Sequence, residues 1–125
     1  MSAVVLIVDD IEDHRALLAR RLERHGYRVR EAQGGADAVA KCMADRPDLI
    51  IMDISMTEMD GIEAWRALCE MCDDPPPAIA YTATRIRDVE LMCIEHGFSA
   101  YLEKPCETQV LIQEIKRSLA AKIAA

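Results

Sequence analysis

Acidic, hydroxyl and basic side chains follow short apolar segments of this chain at four places. Asp9 and Asp10 come directly after the first apolar run, and Asp53, Thr82 and Lys104 follow three later ones. Carboxylate oxygens are the ligands that Mg²⁺ prefers, and a carboxylate is also a competent nucleophile toward phosphorus. An ammonium and a hydroxyl can contact the phosphoryl oxygens. If these side chains meet at one site, they predict magnesium-assisted phosphoryl transfer to a carboxylate.

The chain alternates five times between short apolar segments and segments with helical periodicity. Continuous aliphatic runs are typical of parallel strands, and the helices between them cover both sides of the sheet. The pattern therefore predicts one doubly wound α/β domain over residues 1–125, with strands at Val4–Val8, Tyr27–Glu31, Leu49–Met52, Ala78–Tyr81 and Ala100–Leu102.

Apolar residues at helical spacing predict which helix faces pack against the sheet. Helices are expected over Glu12–His25, Ile62–Cys72 and Thr108–Lys122, with two more between the strands. The predicted inward residues are Ala36, Val39, Ala40 and Met43 in the second helix, Val89, Met92, Cys93 and His96 in the fourth, and Ile112, Ile115 and Leu119 in the fifth. Cys69 and Cys72 lie on the stripe of Ile62 and Trp65, which favours core packing over a redox or metal site.

Parallel strands place their carboxyl ends at the same edge of the sheet. Right-handed crossovers cover both faces only if the strand order reverses, and the reversal opens a crevice in which ligands bind. We therefore expect Asp9, Asp10, Asp53, Thr82 and Lys104 to converge at this edge. Three carboxylates against one ammonium favour a divalent cation, and Mg²⁺ is the predicted one.

Composition restricts the possible partners. The chain has 125 residues, 51% of them hydrophobic, which is enough for one core without disulfides or a structural metal. Its 15 basic and 22 acidic side chains give a net charge of −7, so direct contact with nucleic acid or an anionic membrane is not expected. Five cysteines without a secretory leader indicate reduced thiols in the cytoplasm.

Five sequence elements, in this order, resemble the receiver domain of bacterial two-component response regulators. They are Asp9-Asp10, the strand-end Asp53, Met59-Asp60-Gly61, Thr82-Ala83, and the run from Tyr101 to Pro105. The resemblance spans nearly the whole chain and implies a flavodoxin-like (βα)5 fold with a parallel five-stranded sheet of order 2-1-3-4-5. It also implies a cis peptide bond between Lys104 and Pro105.

The resemblance implies a phosphoryl-accepting role for Asp53. The donor would be a partner histidine kinase or histidine phosphotransfer protein, and Lys104 would contact the transferred group. Asp10, Asp53 and the backbone carbonyl of Ser55 would bind Mg²⁺ directly, with Asp9 contributing through water.

The implied output is a change in partner binding rather than enzymatic turnover. Thr82 would be the switch hydroxyl, Tyr101 the aromatic that turns inward, and a downstream effector would bind the face of the fourth helix, fifth strand and fifth helix. Ser55 and Thr84 stand where the family tunes loss of the phosphoryl group. One departure is Thr57, where the family usually has proline; the change frees φ and predicts a less rigid loop.

Three other functions share parts of this pattern. A haloacid-dehalogenase-type phosphatase, which would hydrolyse an aspartyl phosphate with Mg²⁺, needs a second acid where this chain has Ser55. A flavodoxin-like FMN carrier needs phosphate-binding donors where this chain has Asp9 and Asp10. A phosphorylation-independent docking module is the third alternative, and the presence of all the reactive residues argues against it.

The histidines are not expected to take part in the chemistry. His14, His25 and His96 are predicted in helices, away from the strand-end acids. The donor histidine is therefore expected on a partner.

Overall fold

The computed structural model describes residues 2–83 and 86–124, over which five strands alternate with five helices. The strands are β1 (Val4–Val8), β2 (Arg28–Ala32), β3 (Leu49–Met52), β4 (Ala78–Thr82) and β5 (Ala100–Glu103). The helices are α1 (Glu12–Arg24), α2 (Gly35–Ala44), α3 (Gly61–Met71), α4 (Arg87–Glu95) and α5 (Thr108–Ala124). Each predicted strand is present, and β2 begins and ends one residue later than expected.

The strands form one parallel sheet in the order β2-β1-β3-β4-β5, which confirms the predicted fold. β1 lies in the sheet between β2 and β3, where Val5 pairs with Val29 on one side and with Leu49 on the other. β4 and β5 continue the sheet beyond β3. The strand order reverses at β1, and the predicted crevice therefore lies between the loops that follow β1 and β3.

Two apolar layers cover the sheet, because strand side chains alternate between its faces. On one face, Leu6, Val8, Ile50 and Met52 pack with buried residues of α2, α3 and α4. On the other face, Val5, Ile7, Leu49 and Ile51 pack with α1 and α5. All of β3 is buried, which accounts for its continuous apolar sequence. Among the described residues, no helix combines the length and the apolar character needed to cross a bilayer.

The predicted inward face of α2 is wrong for most of its residues. The buried residues are Gly35, Ala38 and Cys42, whereas Ala36, Ala40 and Met43 are exposed and Val39 is half-buried. An alanine-rich helix presents two weakly apolar faces, so its periodicity does not select between them. The smaller face packs inward because α2 lies close to α3, where a Cβ on Gly35 would be 3.1 Å from that of Ala64.

The predictions for the other helices are correct in part. In α4 Val89 and Cys93 pack inward, but Met92 and the following C-cap residue His96 are exposed, since this short helix covers only the β5 edge of the sheet. In α3 Leu68 is fully buried and Cys69 is exposed, so core packing is wrong for Cys69 and right for the half-buried Cys72. In α5 Ile112, Ile115 and Leu119 pack against the sheet as predicted.

Candidate functional site

The carboxyl ends of four strands bring the predicted residues to one edge of the sheet. Asp9 and Asp53 have only 4% and 7% of their surface exposed, and Thr82 at the end of β4 is completely buried. A buried carboxylate is costly unless hydrogen bonds or an opposite charge compensate it. The residues around Asp9 and Asp53 supply both.

Lys104 lies between the two buried carboxylates. Its Nζ donates hydrogen bonds to Asp9 Oδ2 at 2.5 Å and to Asp53 Oδ2 at 3.2 Å. Burial by itself lowers the pKa of Lys104, but the hydrogen bond to Asp9 and the charge of Asp53 outweigh it, and the pKa is raised. The ammonium therefore remains charged at neutral pH.

The segment after β5 places Lys104 against β4. The Lys104 N–H donates to the carbonyl of Thr82 at 2.9 Å, and the Lys104–Pro105 bond is cis, as the resemblance implies. The Lys104 Nζ also lies 5.6 Å from the centre of the Tyr81 ring, within cation–π range. Sequence reasoning missed Tyr81, because an aromatic residue inside an apolar strand gives no sign of a neighbouring charge.

The three acids form a candidate metal centre. One ligand oxygen from each of Asp9, Asp10 and Asp53 can be chosen so that all lie within 4.8 Å of one another. Three carboxylates against the ammonium of Lys104 leave an excess of negative charge. This oxygen-only donor set fits a hard divalent cation such as Mg²⁺.

Backbone N–H groups hold the two buried carboxylates from the other side. Ile11 N–H donates to Asp9 Oδ1 at 2.9 Å, and Ser55 N–H donates to Asp53 Oδ1 at 3.0 Å. Each acid therefore has one oxygen directed to the backbone and one to Lys104. The predicted metal contact of the Ser55 carbonyl remains a prediction.

Thr57, where the family usually has proline, holds the side chain of Asp10. Thr57 donates its backbone N–H to Asp10 Oδ2 at 2.9 Å and its hydroxyl to the same oxygen at 3.2 Å. The freedom expected from the loss of proline is thus offset by two hydrogen bonds, of which a proline could make neither.

The Met59-Asp60-Gly61 segment leads from the loop after β3 into α3. Asp60 caps the helix by accepting from Glu63 N–H at 2.8 Å, and the Glu63 carboxylate accepts from Asp60 N–H in return. A Cβ on Gly61 would lie 2.5 Å from the Asp53 carbonyl oxygen. Glycine at this position therefore allows α3 to start in contact with the backbone of Asp53.

Thr82 and Tyr101 lie on the same face of the sheet. Tyr101 pairs with Ala80, two residues before Thr82, and side chains two residues apart share a face. Tyr101 is half-buried and packs against the apolar layer of α2, α3 and α4. Their switch roles remain predictions, and Thr84 lies outside the described residues.

One histidine does lie beside a strand-end acid. His14 Nδ1 is 3.8 Å from Asp9 Oδ2, so the expectation that all three histidines are remote is wrong for His14. Because α1 begins at Glu12, soon after Asp9, its first turn brings His14 close to the end of β1. Periodicity assigns His14 to a helix but does not show which residue that helix approaches.

A cavity of about 320 Å³ opens beside Asp9, between α1 and the segment after β5. Asp9 and Lys104 line it, together with apolar side chains that include Leu17 and Pro105. Leu17 is 60% exposed. A side chain from another molecule can therefore approach Asp9 and Lys104 over an apolar surface.

Known proteins resemble this chain in sequence and in fold. A family model described as the response regulator receiver domain matches residues 5–116. Protein PilH of Pseudomonas aeruginosa is 31% identical over 119 residues, which are 94% of this chain and 98% of PilH. Response regulator PleD of Caulobacter vibrioides is 36% identical over 120 residues, 93% of this chain. The chain spans only 26% of the length of PleD.

Solved structures agree with the sequence comparison. Chemotaxis protein CheY4 of Vibrio cholerae superposes with a TM-score of 0.86 at 28% identity, covering 94% of this chain and 99% of CheY4. The signal receiver domain of a histidine kinase from Syntrophus aciditrophicus gives 0.85 at 33% identity, covering 96% and 92%. With the strand order, the strand-end acids and a family match over most of its length, this chain belongs to the response regulator receiver family.

Proposed function

We propose that this domain is a signalling switch in which Asp53 accepts a phosphoryl group from a phosphohistidine on a partner histidine kinase or phosphotransfer protein. The observation that carries the proposal is the environment of the Asp53 carboxylate. It accepts a hydrogen bond from Lys104 and lies close to carboxylate oxygens of Asp9 and Asp10. An anionic nucleophile needs positive charge nearby so that an anionic phosphoryl group is not repelled. Lys104 supplies one positive charge, and the acids supply ligands for a cation that would supply more.

The proposed transfer exchanges one bond to phosphorus for another. An Asp53 oxygen attacks phosphorus and forms an O–P bond, while the P–N bond of the phosphohistidine breaks and the imidazole nitrogen keeps its electron pair. Lys104 then contacts a phosphoryl oxygen in place of Asp53. Water later hydrolyses the acyl phosphate, which restores the Asp53 carboxylate and releases inorganic phosphate.

The same residues are suited to hold Mg²⁺. Asp10 and Asp53 would bind it directly with the backbone carbonyl of Ser55, and Asp9 would act through water. When bound, the ion would neutralise the phosphoryl oxygens and the surrounding acids. The grouping of three carboxylate oxygens within 4.8 Å supports this role.

Two surfaces are suited to partners. The cavity between α1 and the segment after β5 would admit the phosphohistidine, since it lies beside Asp9 and Lys104. The effector would bind the α4–β5–α5 face, which has large exposed apolar side chains at Leu91, Met92 and Val110. The proposed compartment is the cytoplasm, because all five cysteines are free thiols.

Phosphoryl uptake by the purified domain tests the nucleophile. Incubation with a small acyl phosphate and Mg²⁺ should add one phosphoryl group, which intact-mass analysis detects. Asp53→Asn should abolish uptake because its amide is not a nucleophile. Asp13→Asn is the matched control, since Asp13 is an exposed carboxylate in the first turn of α1.

The possible results separate the competing functions. Equal uptake by the wild type and Asp53→Asn would show that another residue is the acceptor. Undiminished uptake in EDTA would overturn the role of Mg²⁺. Absence of uptake from both a small donor and a phosphorylated phosphotransfer protein, by a folded domain, would instead favour the phosphorylation-independent docking module.

A further inference from the structure

Thr57 joins two loops across the acid cluster. It belongs to the segment between β3 and α3, whereas Asp10 belongs to the segment after β1. Its N–H and its hydroxyl both donate to Asp10 Oδ2, at 2.9 Å and 3.2 Å. Hydrogen bonds to an ionised carboxylate are stronger than those between neutral groups. The two contacts therefore hold the orientation of the Asp10 side chain.

Asp10 differs from the other two acids in how it is held. Asp9 and Asp53 are buried and contact Lys104, but Asp10 is half-buried. In the part of the chain that the structure describes, Thr57 provides the hydrogen bonds to its carboxylate. Without them, the Asp10 side chain would be free to turn toward solvent and away from the other acids.

We propose that Thr57 is a positioning residue for the divalent cation, because it holds Asp10 Oδ2 and so presents the Asp10 carboxylate to the metal centre. This inference rests on the proposed function. An ionised carboxylate has about four acceptor sites, so two donors on one oxygen leave the other oxygen available to a cation. Partners of this kind orient metal ligands, and their loss typically weakens metal affinity by about 10- to 100-fold.

The loop around Thr57 is shaped to keep both donors in place. Met59 N–H donates to the Thr57 carbonyl at 2.7 Å, and Glu58 between them has a φ of 64°. Gly61 N–H donates to the Ile54 carbonyl at 3.0 Å, which closes the segment at its base. The N–H and side chain of Thr57 thus face Asp10 from a closed turn.

Mg²⁺ affinity of the unphosphorylated domain tests the inference. Thr57→Val keeps the shape of the side chain but removes its hydroxyl, and we expect about 3- to 10-fold weaker binding by calorimetry. Thr57→Pro removes both donors and should weaken binding by about 10- to 100-fold; although the family usually has proline at this position, the Asp10 carboxylate of this chain would lose both of the hydrogen bonds that Thr57 donates to it. Thr57→Ser keeps both donors and should remain within about twofold of the wild type.

Controls separate positioning from a general disturbance of the loop. Met56→Leu changes a half-buried neighbour with little change in volume and should leave affinity unchanged. Thermal unfolding of every variant in EDTA shows whether it is folded before Mg²⁺ is added. A merely structural role for Thr57 would not give weak binding in Thr57→Val together with recovery in Thr57→Ser.

The outcomes distinguish this inference from the proposed function. Unchanged Mg²⁺ affinity in Thr57→Val and Thr57→Pro overturns the role of Thr57 and leaves Asp53 as the proposed acceptor. Tighter binding in these variants also overturns it, because Thr57 would then compete with the ion. If the wild type does not bind Mg²⁺ at millimolar concentration, the metal centre itself is wrong, whatever the result of the phosphoryl-uptake test.

Discussion

Asp10→Asn should stabilise the metal-free domain. The substitution removes the negative charge of Asp10. One oxygen of Asp10 lies within 4.8 Å of an oxygen of Asp9 and of an oxygen of Asp53. An asparagine carbonyl can still accept the hydrogen bonds that Thr57 donates to Asp10. The shape and the hydrogen bonds are thus largely kept, and the main change is electrostatic.

Coulomb's law sets the size of the effect. Two unit charges at 4.8 Å repel by about 3.5 kcal/mol at an effective dielectric constant of about 20, and by about 0.9 kcal/mol in bulk water. In the wild type, Asp10 is repelled by two other carboxylates but attracted by Lys104. The asparagine also accepts weaker hydrogen bonds from Thr57, because it carries no charge. The last two effects reduce the stabilisation expected from removing the repulsion. We therefore expect a gain of about 1–2 kcal/mol, or about 4–8 °C for a domain of this size.

Thermal unfolding in EDTA and in Mg²⁺ measures both parts of this prediction. The wild type should gain about 2.7 kcal/mol when Mg²⁺ is at about 100 times its dissociation constant. Asp10→Asn should respond much less because a ligand is lost. The metal-free gain should persist at about 0.15 M salt, where the screening length of about 8 Å exceeds the separation of the acids.

A control variant separates repulsion within the cluster from the general effect of removing an acidic charge. Asp13→Asn removes a carboxylate from the first turn of α1, where it interacts favourably with the helix dipole, so its midpoint should fall slightly. If the metal-free midpoint of Asp10→Asn falls or does not change, the repulsion argument is refuted.

Three further substitutions test the site. Lys104→Met should cost about 3–5 kcal/mol at pH about 7, because it leaves Asp9 and Asp53 without their ammonium. Since folding raises the pKa of Lys104 above its ordinary value of 10.5, this difference should be constant from neutral pH up to about that value and shrink as pH rises through the raised pKa, as urea denaturation can show. Thr82→Ala should accept the phosphoryl group by intact mass but lose the phosphorylation-dependent gain in partner binding, and a full wild-type gain would contradict its role. Gly61→Ala should lower stability by about 1–3 kcal/mol and slow uptake at Asp53, because its Cβ would meet the backbone of the acceptor. Gly35→Ala, whose Cβ meets mainly a flexible methionine, is the matched control and should cost less.

The alternation of apolar runs and helical periods was enough to predict a doubly wound parallel α/β domain, whereas the strand order came from the resemblance to receiver domains. A strand buried on both faces must be apolar throughout, and β3 is so in both sequence and structure. Parallel strands end at one edge, so the positions of Asp9, Asp53 and Lys104 after their strands already predicted that they meet. This inference needed only that all the strands run in the same direction, which the alternation of strands and helices in the sequence indicates.

The sequence did not determine contacts that depend on the distance between elements. Ala36 and Ala38 have the same side chain, and the close approach of α2 to α3 decided that Ala38 is buried. His14 was assigned correctly to a helix, but the path of the chain from β1 into α1 placed it beside Asp9.

The departure at residue 57 shows the same limit most clearly. From the sequence, threonine in place of proline predicted only a freer backbone, because φ is a property of the residue itself. Its partner, Asp10, is 47 positions away and becomes a neighbour only when β1 and β3 pair in the sheet. Local sequence therefore determined which elements form and which groups lie at their ends. Tertiary packing decided which of those groups share hydrogen bonds, since such bonds depend on separations of a few tenths of an ångström between segments distant in sequence.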